Sequence, residues 1–588
     1  MKKYIKHIAI LTSSICIFSA CNDDFLEKTP LDQISNETFW NTENDLVVYN
    51  NGLYARTLDN NNVPILFGHA QGTAAREQSI WFLDGPTDNF APRGAGEYQQ
   101  IRAGRHIVPT TPPLYSYKGW DFIRAINVGL ENYGKAKVSD AIKNKYIAEA
   151  RLFRGWFYAD KVSKFGDVSY VDKSLNIDSP ELFADRMPRN EVMKKVLEDL
   201  NFATKNLPND WGDGNAPGRL NRWSALLIKS RICLYEGTWQ KYRNGANANT
   251  WLTEASVAAK ELMDKGPYSV STVGDTTKNY NSYHRIFDLA GNKEVMYWRK
   301  FIFGIYTNNV MVYLHTSTGG ATKSMVEDYL CTDGLPITLS PLYKGDAKIE
   351  DVFINRDPRL RQTILHPADV NLYSYDVART YPRLEGMEGG NLTTTGYNII
   401  KNYNNDDVVG KGFNARIAPA IILRFAEALL NYAEAQAELG VITQGDLDLS
   451  INKLRGRVKM PNMLLSKIPI DPRYTKDGVS PLIAEIRRER RVELFMEGFR
   501  YNDLMRWGQG KKLETISRGI LWDAAAKARY LKANVKSSID PANGKTYVDV
   551  YQGTDFAVPV FDPAKHYLWP IPLSVISQNT AIKQNPGW

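Results

Sequence analysis

The chain has 588 residues, 43% apolar and 23% charged, which allows a large buried core and excludes a disordered composition. Its formal charge of +8 falls to +5 without Lys2, Lys3 and Lys6 of the N-terminal leader, too weak and too dispersed for a nucleic-acid footprint. Even the richest basic run, Arg487 to Arg491, is interleaved with Glu489 and followed by Glu493 and Glu497.

Residues 1–21 read MKKYIKHIAILTSSICIFSAC: a positive start, a mostly apolar stretch from Ile8 to Phe18, then Ser19 and Ala20 before Cys21. These are the parts of a signal peptide over residues 1–20, too short for a comfortable membrane span. The small-small-Cys ending resembles a bacterial lipobox, which implies cleavage before Cys21 and acyl chains carried on that cysteine. An ordinary cleaved leader with an incidental cysteine is the alternative. One acyl chain, at ~0.8 kcal/mol per buried methylene, anchors only marginally, whereas several anchor stably.

Asn60 to Gly119 carries few helical signals and much Gly, Asn and Pro. Ala141 to Phe165 has a broad apolar face, with Ser139 and Asp140 as N-cap candidates and Gly166 as a stop. Trp223 to Gly237 reads as a second helix. Gly266 to Pro341 and Arg379 to Tyr397 are again irregular. Arg424 to Gly440 is the clearest helix, with Phe425, Leu429, Tyr432, Ala433 and Leu439 at helical spacing and Gly440 at the C-cap. Alanine mixed with large aromatics or Leu suits close packing of helical hairpins, although no fixed repeat of about 34 residues is visible. The fold expected is mostly α, a tetratricopeptide-like helical-hairpin scaffold with long irregular loops and a few short strands.

In Ile486 to Arg500, helical spacing puts Arg490, Glu493 and Glu497 on one face with Ile486 and Leu494. A glycosidase-type carboxylate pair is one reading of Glu493 and Glu497. A buried Arg–Glu network is favoured, because carboxylates one turn apart do not face each other across a sugar. Neighbouring arginines also keep them ionised. The chain has no phosphate-cradling GxxxxGK[ST], no GxSxG and no HExxH, and its mature histidines do not pair at helical spacing. No catalytic residue, metal site or cofactor is expected. Asp59–Asn62 and Asn404–Asp407 lack EF-hand spacing and read as turns rather than calcium loops. Cys233 and Cys331 are expected as buried free thiols rather than a disulfide.

Several segments in chain order resemble the SusD/RagB family: the mature start from Phe25 to Trp40, WDFIRAIN at 120–127, and Glu149 to Trp156 leading to Lys164–Val168. They continue through Arg356-Asp357-Pro358-Arg359-Leu360, RFAEALLNYAEAQAELG at 424–440, Arg488 to Trp507, and the closing WPIP at 569–572 and QNPGW at 584–588. Ser169 stands where the family usually has Pro, which implies a looser turn. The resemblance covers residues 21–588, with an N-terminal half of about 21–265 and a C-terminal half of about 266–588. It implies a surface lipoprotein of the outer membrane that captures oligosaccharides, or peptides in some members, and delivers them to a SusC-type TonB-dependent transporter. An all-α glycan-active enzyme is the further alternative.

Aromatic rings stack on the C–H faces of sugars while Asp, Asn and Arg bond their hydroxyls. In the family, ligand contacts come from the first two irregular regions. Those regions offer Trp81, Asp88, Asn89, Tyr98, Tyr306 and Tyr313 as ligand-binding candidates. Trp81, beside Asp84-Gly85-Pro86, is expected to be exposed, and Trp298, in a strand-like stretch, to be core.

Overall fold

The computed structural model describes residues 39–58, 63–64, 79–94, 96–112, 117–271, 292–308, 319–368, 381–388, 392–401, 417 and 419–588. The expected leader, Cys21, Tyr313 and both Asp/Asn clusters, 59–62 and 404–407, lie outside the described residues.

Helices form the frame: α1 (Glu43–Tyr54), α2 (Trp120–Asn132), α3 (Asp140–Phe165), α4 (Arg189–Asn206), α5 (Arg222–Lys241), α6 (Ala248–Lys265), α7 (Phe425–Leu439), α8 (Pro481–Glu493) and α9 (Arg500–Arg506). α3 packs on α4 and α5 on α6, α4 joins the two pairs, and α7 lies across α6 and against α8. The protein is mostly α, with hairpins stacked in the tetratricopeptide manner. No helix among the described residues is long and apolar enough to cross a membrane.

The local reasons are legible. The Ser139 hydroxyl accepts from the Ile142 N–H at the start of α3, and Gly166 ends it at φ +70°. Gly440 ends α7 in the left-handed region at φ +77°. α5 runs past Gly237, the expected stop, because that glycine serves packing instead. A Cβ there would come within 2.8 Å of the Leu252 side chain and 2.9 Å of its backbone nitrogen on α6. Arg424, expected to open the helix, is its extended N-cap and the last residue of a strand.

Besides a two-residue pair at Thr57–Leu58 and Val63–Pro64, the short strands among the described residues are β1 (Phe90–Pro92), β2 (Val295–Arg299), β3 (Gly319–Ala321), β4 (Ala420–Arg424), β5 (Arg518–Leu521), β6 (Ser537–Ile539) and β7 (Thr546–Asp549). β1 pairs with β3, β2 with β4, and β7 lies between β5 and β6, all antiparallel. One apolar core runs through the helical stack, including Phe153, Leu226, Leu252 and Leu429. A second gathers Trp81, Phe82 and Phe90 with Tyr329, Tyr397, Phe495 and Val548. α8 sits between them, giving Ile486 to the first and Val492 to the second.

Two family-like segments have visible structural duties. The Asn585 amide donates to the carbonyls of Phe165 (3.1 Å) and Trp569 (2.7 Å), so the C-terminus clasps the turn after α3. That turn, expected to be loosened by Ser169, is pinned by paired backbone bonds between Val168 and Met187 (3.2 and 2.9 Å). Cys233 and Cys331 are free and buried.

Candidate functional site

The continuous helix expected over 486–500 breaks after Glu493. Met496 (φ +60°) and Gly498 (φ +79°) turn the chain before α9 begins. A Cβ on Gly498 would meet the Ile80 carbonyl oxygen at 3.0 Å, so the turn lies directly against the 79–92 segment.

Around it, arginines and carboxylates interlock. Arg424 reaches Glu294 (2.8 Å), Glu493 (2.8 Å) and Glu497 (2.7 Å). Arg457 also takes Glu493 (2.6 Å), and Arg359 joins Asp357, Glu489 and Glu493. Burial alone raises the Glu493 carboxyl, but Arg457, Arg424 and Arg359 together hold it far below the usual range. It is a fixed negative charge and has no proton to lend at neutral pH.

The same elements hold the first candidate loop. Arg500 Nε donates to Asp88 Oδ1 and its Nη2 to Oδ2, both at 2.8 Å, and Arg491 Nη2 lies 3.0 Å from Oδ2. Burial opposes ionisation of Asp88, and these two guanidinium groups override it. Arg491 Nε donates to Asn89 Oδ1 (2.8 Å), while Asn89 Nδ2 and the Met496 N–H donate to Asp84 Oδ2 (3.1 and 2.8 Å). The other oxygen of Asp84 has no hydrogen-bond partner among the described residues, and burial pushes its carboxyl up to about 6.

Trp81 is therefore not exposed. It is 1% accessible, on a 3-10 turn over Ile80–Asp84 that packs into the second core. Asp88 and Asn89 are also interior, drawn in by arginines some 400 positions later. Tyr98 is half-buried, its ring beside Gly85. Trp298 is half-buried against the Val295, Leu330 and Ile421 cluster.

Tyr306 stays partly exposed. Its ring stacks on Phe301 (4.8 Å, 11°) under the Arg299 guanidinium (5.0 Å). It closes a tight turn through paired backbone bonds with Ile302 (2.7 and 2.9 Å), with Gly304 at φ +76° at the tip. That turn exposes Ile302, Phe303 and Ile305 at 45%, 56% and 75%.

Just past the anchored segment, Arg93 emerges into a cleft of about 380 Å³ lined also by Glu385, Gly386, Thr394, Asn534, Val535, Lys536, Val548 and Val550. The volume lies near the lower end of the roughly 300–1,000 Å³ of small-molecule sites. Valines supply an apolar wall, and the Thr394 hydroxyl is fixed by donating to the Ala91 carbonyl (2.7 Å). Arg93 pairs with Glu385 at 2.6 Å. Glu385 and Thr394 fall in a stretch the sequence marks as irregular. Asn534 and Lys536 carried no sequence signal, since only the β5–β7–β6 sheet brings them there.

Comparison with known proteins gives a consistent picture. Residues 276–588 match the model described as SusD family, and residues 24–234 match one described as starch-binding, associating with outer membrane. A SusD-like protein of Bacteroides ovatus is 23% identical, the alignment covering 98% of this chain and 97% of that one. A SusD-like protein of Formosa agariphila is also 23% identical, over 87% and 92%. Among solved structures, a SusD-like carbohydrate-binding protein from Bacteroides fragilis superposes with a TM-score of 0.71 at 21% identity, covering 93% of this chain and all of that one. A laminarin-binding SusD-like protein gives 0.56 at 18%, with 93% and 100% covered.

Proposed function

The chain belongs to the SusD family, and from that premise we propose that it captures oligosaccharides at the cell surface and delivers them to a SusC-type TonB-dependent outer-membrane transporter, held there by acyl chains on Cys21. The observation that carries the binding role is the cleft behind Arg93, where rigid apolar walls stand beside groups that pair with hydroxyls. Family resemblance supplies the transporter and the anchor; the geometry supports a ligand held without being altered. In this reading Trp81, Asp88 and Asn89 support the surface from beneath. Arg93, Glu385, Asn534 and Lys536 line the cleft, and Tyr98, Tyr306 and Phe303 are further contact candidates.

Affinity electrophoresis of the purified protein against a panel of polysaccharides tests this, with reducing-end assays on the same mixtures. Retardation by one glycan class, with no new reducing ends, is the expected result. Indifference to every glycan, or binding confined to peptides, would overturn it.

A further inference from the structure

The cleft has more positive than negative charge, and the way each charge is held differs. Arg93 and Glu385 form a 2.6 Å ion pair with side chains 50% and 36% exposed. Exposed pairs of this kind contribute only about 0–1 kcal/mol, so a competing anion separates them at little cost. Lys536 is exposed and has no ion pair or side-chain hydrogen bond among the described residues. Its neighbour Asn534 is also exposed, and its backbone N–H is tied to the Glu385 carbonyl at 2.7 Å, which fixes the two rims of the cleft relative to each other. Val535 and Val550, both half-buried, give the C–H face of a sugar something to pack on.

We propose that this cleft takes an oligosaccharide bearing an anionic substituent, a uronate carboxylate or a sulfate ester. The inference rests on the glycan-capture reading and names its ligand class. The anion sits between the Lys536 ammonium and the Arg93 guanidinium and displaces Glu385 from Arg93. Once displaced, Glu385 is an acceptor for a neighbouring hydroxyl. The Asn534 amide offers a donor and an acceptor to a vicinal pair. Charge-assisted bonds to two cations provide the selectivity over neutral chains.

Calorimetric titrations with uronate, sulfated and neutral oligosaccharides of matched length decide it, using wild type, Lys536→Gln and Glu385→Gln. All three proteins are checked for unchanged melting temperature, which these exposed positions favour. The expected result is that wild type prefers an anionic series. Lys536→Gln weakens that series about tenfold, a larger loss than it causes for neutral chains. Glu385→Gln, with its competing carboxylate gone, tightens the anionic series several-fold, a gain that a merely structural residue would not give. Preference between the uronate and sulfate arms identifies the substituent. Binding of neutral glycans alone, or anionic binding indifferent to both substitutions, would refute the inference while glycan capture stands. Binding of acidic peptides but of no glycan would overturn both.

Discussion

Two sets of arginine–carboxylate pairs use the same chemistry to opposite ends. Around α8, Arg359, Arg424 and Arg457 converge on Glu493, and all four side chains are at most 2% exposed. In the cleft, Arg93 and Glu385 make an equally short contact with half or a third of each side chain in solvent. The buried set is shielded from water, and each charge is tolerable only because opposite charges surround it. The exposed pair has water, salt and any anionic ligand as competitors. Distance alone does not distinguish a structural pair from one a ligand can open; burial does.

The largest way to break this comparison is Glu493→Ala. It takes one shared carboxylate from three buried guanidinium groups, leaving Arg359 to Asp357 and Glu489, Arg424 to Glu294 and Glu497, and Arg457 to Glu294, and is expected to cost about 3–5 kcal/mol, read from urea denaturation. An effect below about 1 kcal/mol would show that the network does not carry the fold.

Asp84 sharpens the contrast, being a buried carboxyl with one oxygen unpartnered among the described residues. Its folded pKa is raised from 3.8 to about 6 by burial. The group therefore favours the folded state fully below about pH 3.8, and that contribution disappears as pH rises through about 6. Relative to Asp84→Asn, wild type is expected to gain stability as pH is lowered from 7 to 4, by about 2–3 kcal/mol. Parallel denaturation curves at four pH values test the sign, since the acid-labile carboxylates common to both proteins cancel. The smallest effect belongs to the cleft: Arg93→Ala should change stability by no more than about 0.5 kcal/mol, within the error of the same assay.

Much of the helical frame was legible because its signals are local. Ser139 and Gly166 bracket α3, and Gly440 closes α7, each acting through bonds within a turn. What escaped was set by distant partners. Gly237 looks like a stop until Leu252 is seen against it. Trp81 sits in a sequence that reads as an exposed turn, yet the guanidinium groups of Arg491 and Arg500 pull that turn inward through Asp88. The described parts of the loop regions hold short elements that the sequence did not signal, such as the helices Glu97–Arg102 and Lys323–Asp328. Which of their side chains face solvent depends on those long-range ion pairs, and hydrophobic periodicity carries no trace of them. Asn534 and Lys536 escaped for a related reason: the β5–β7–β6 sheet, which follows the helical frame in the chain, delivers them to Arg93.

A crystal structure of the protein with an oligosaccharide from its tightest-binding class tests the placement of the site most directly. Sugar density against Asn534, Lys536 and the valine wall, with Asp88 still clamped between Arg491 and Arg500, is the expected outcome. Sugar bound elsewhere with the cleft empty, or the Asp88 clamp opened to reach the ligand, would contradict it.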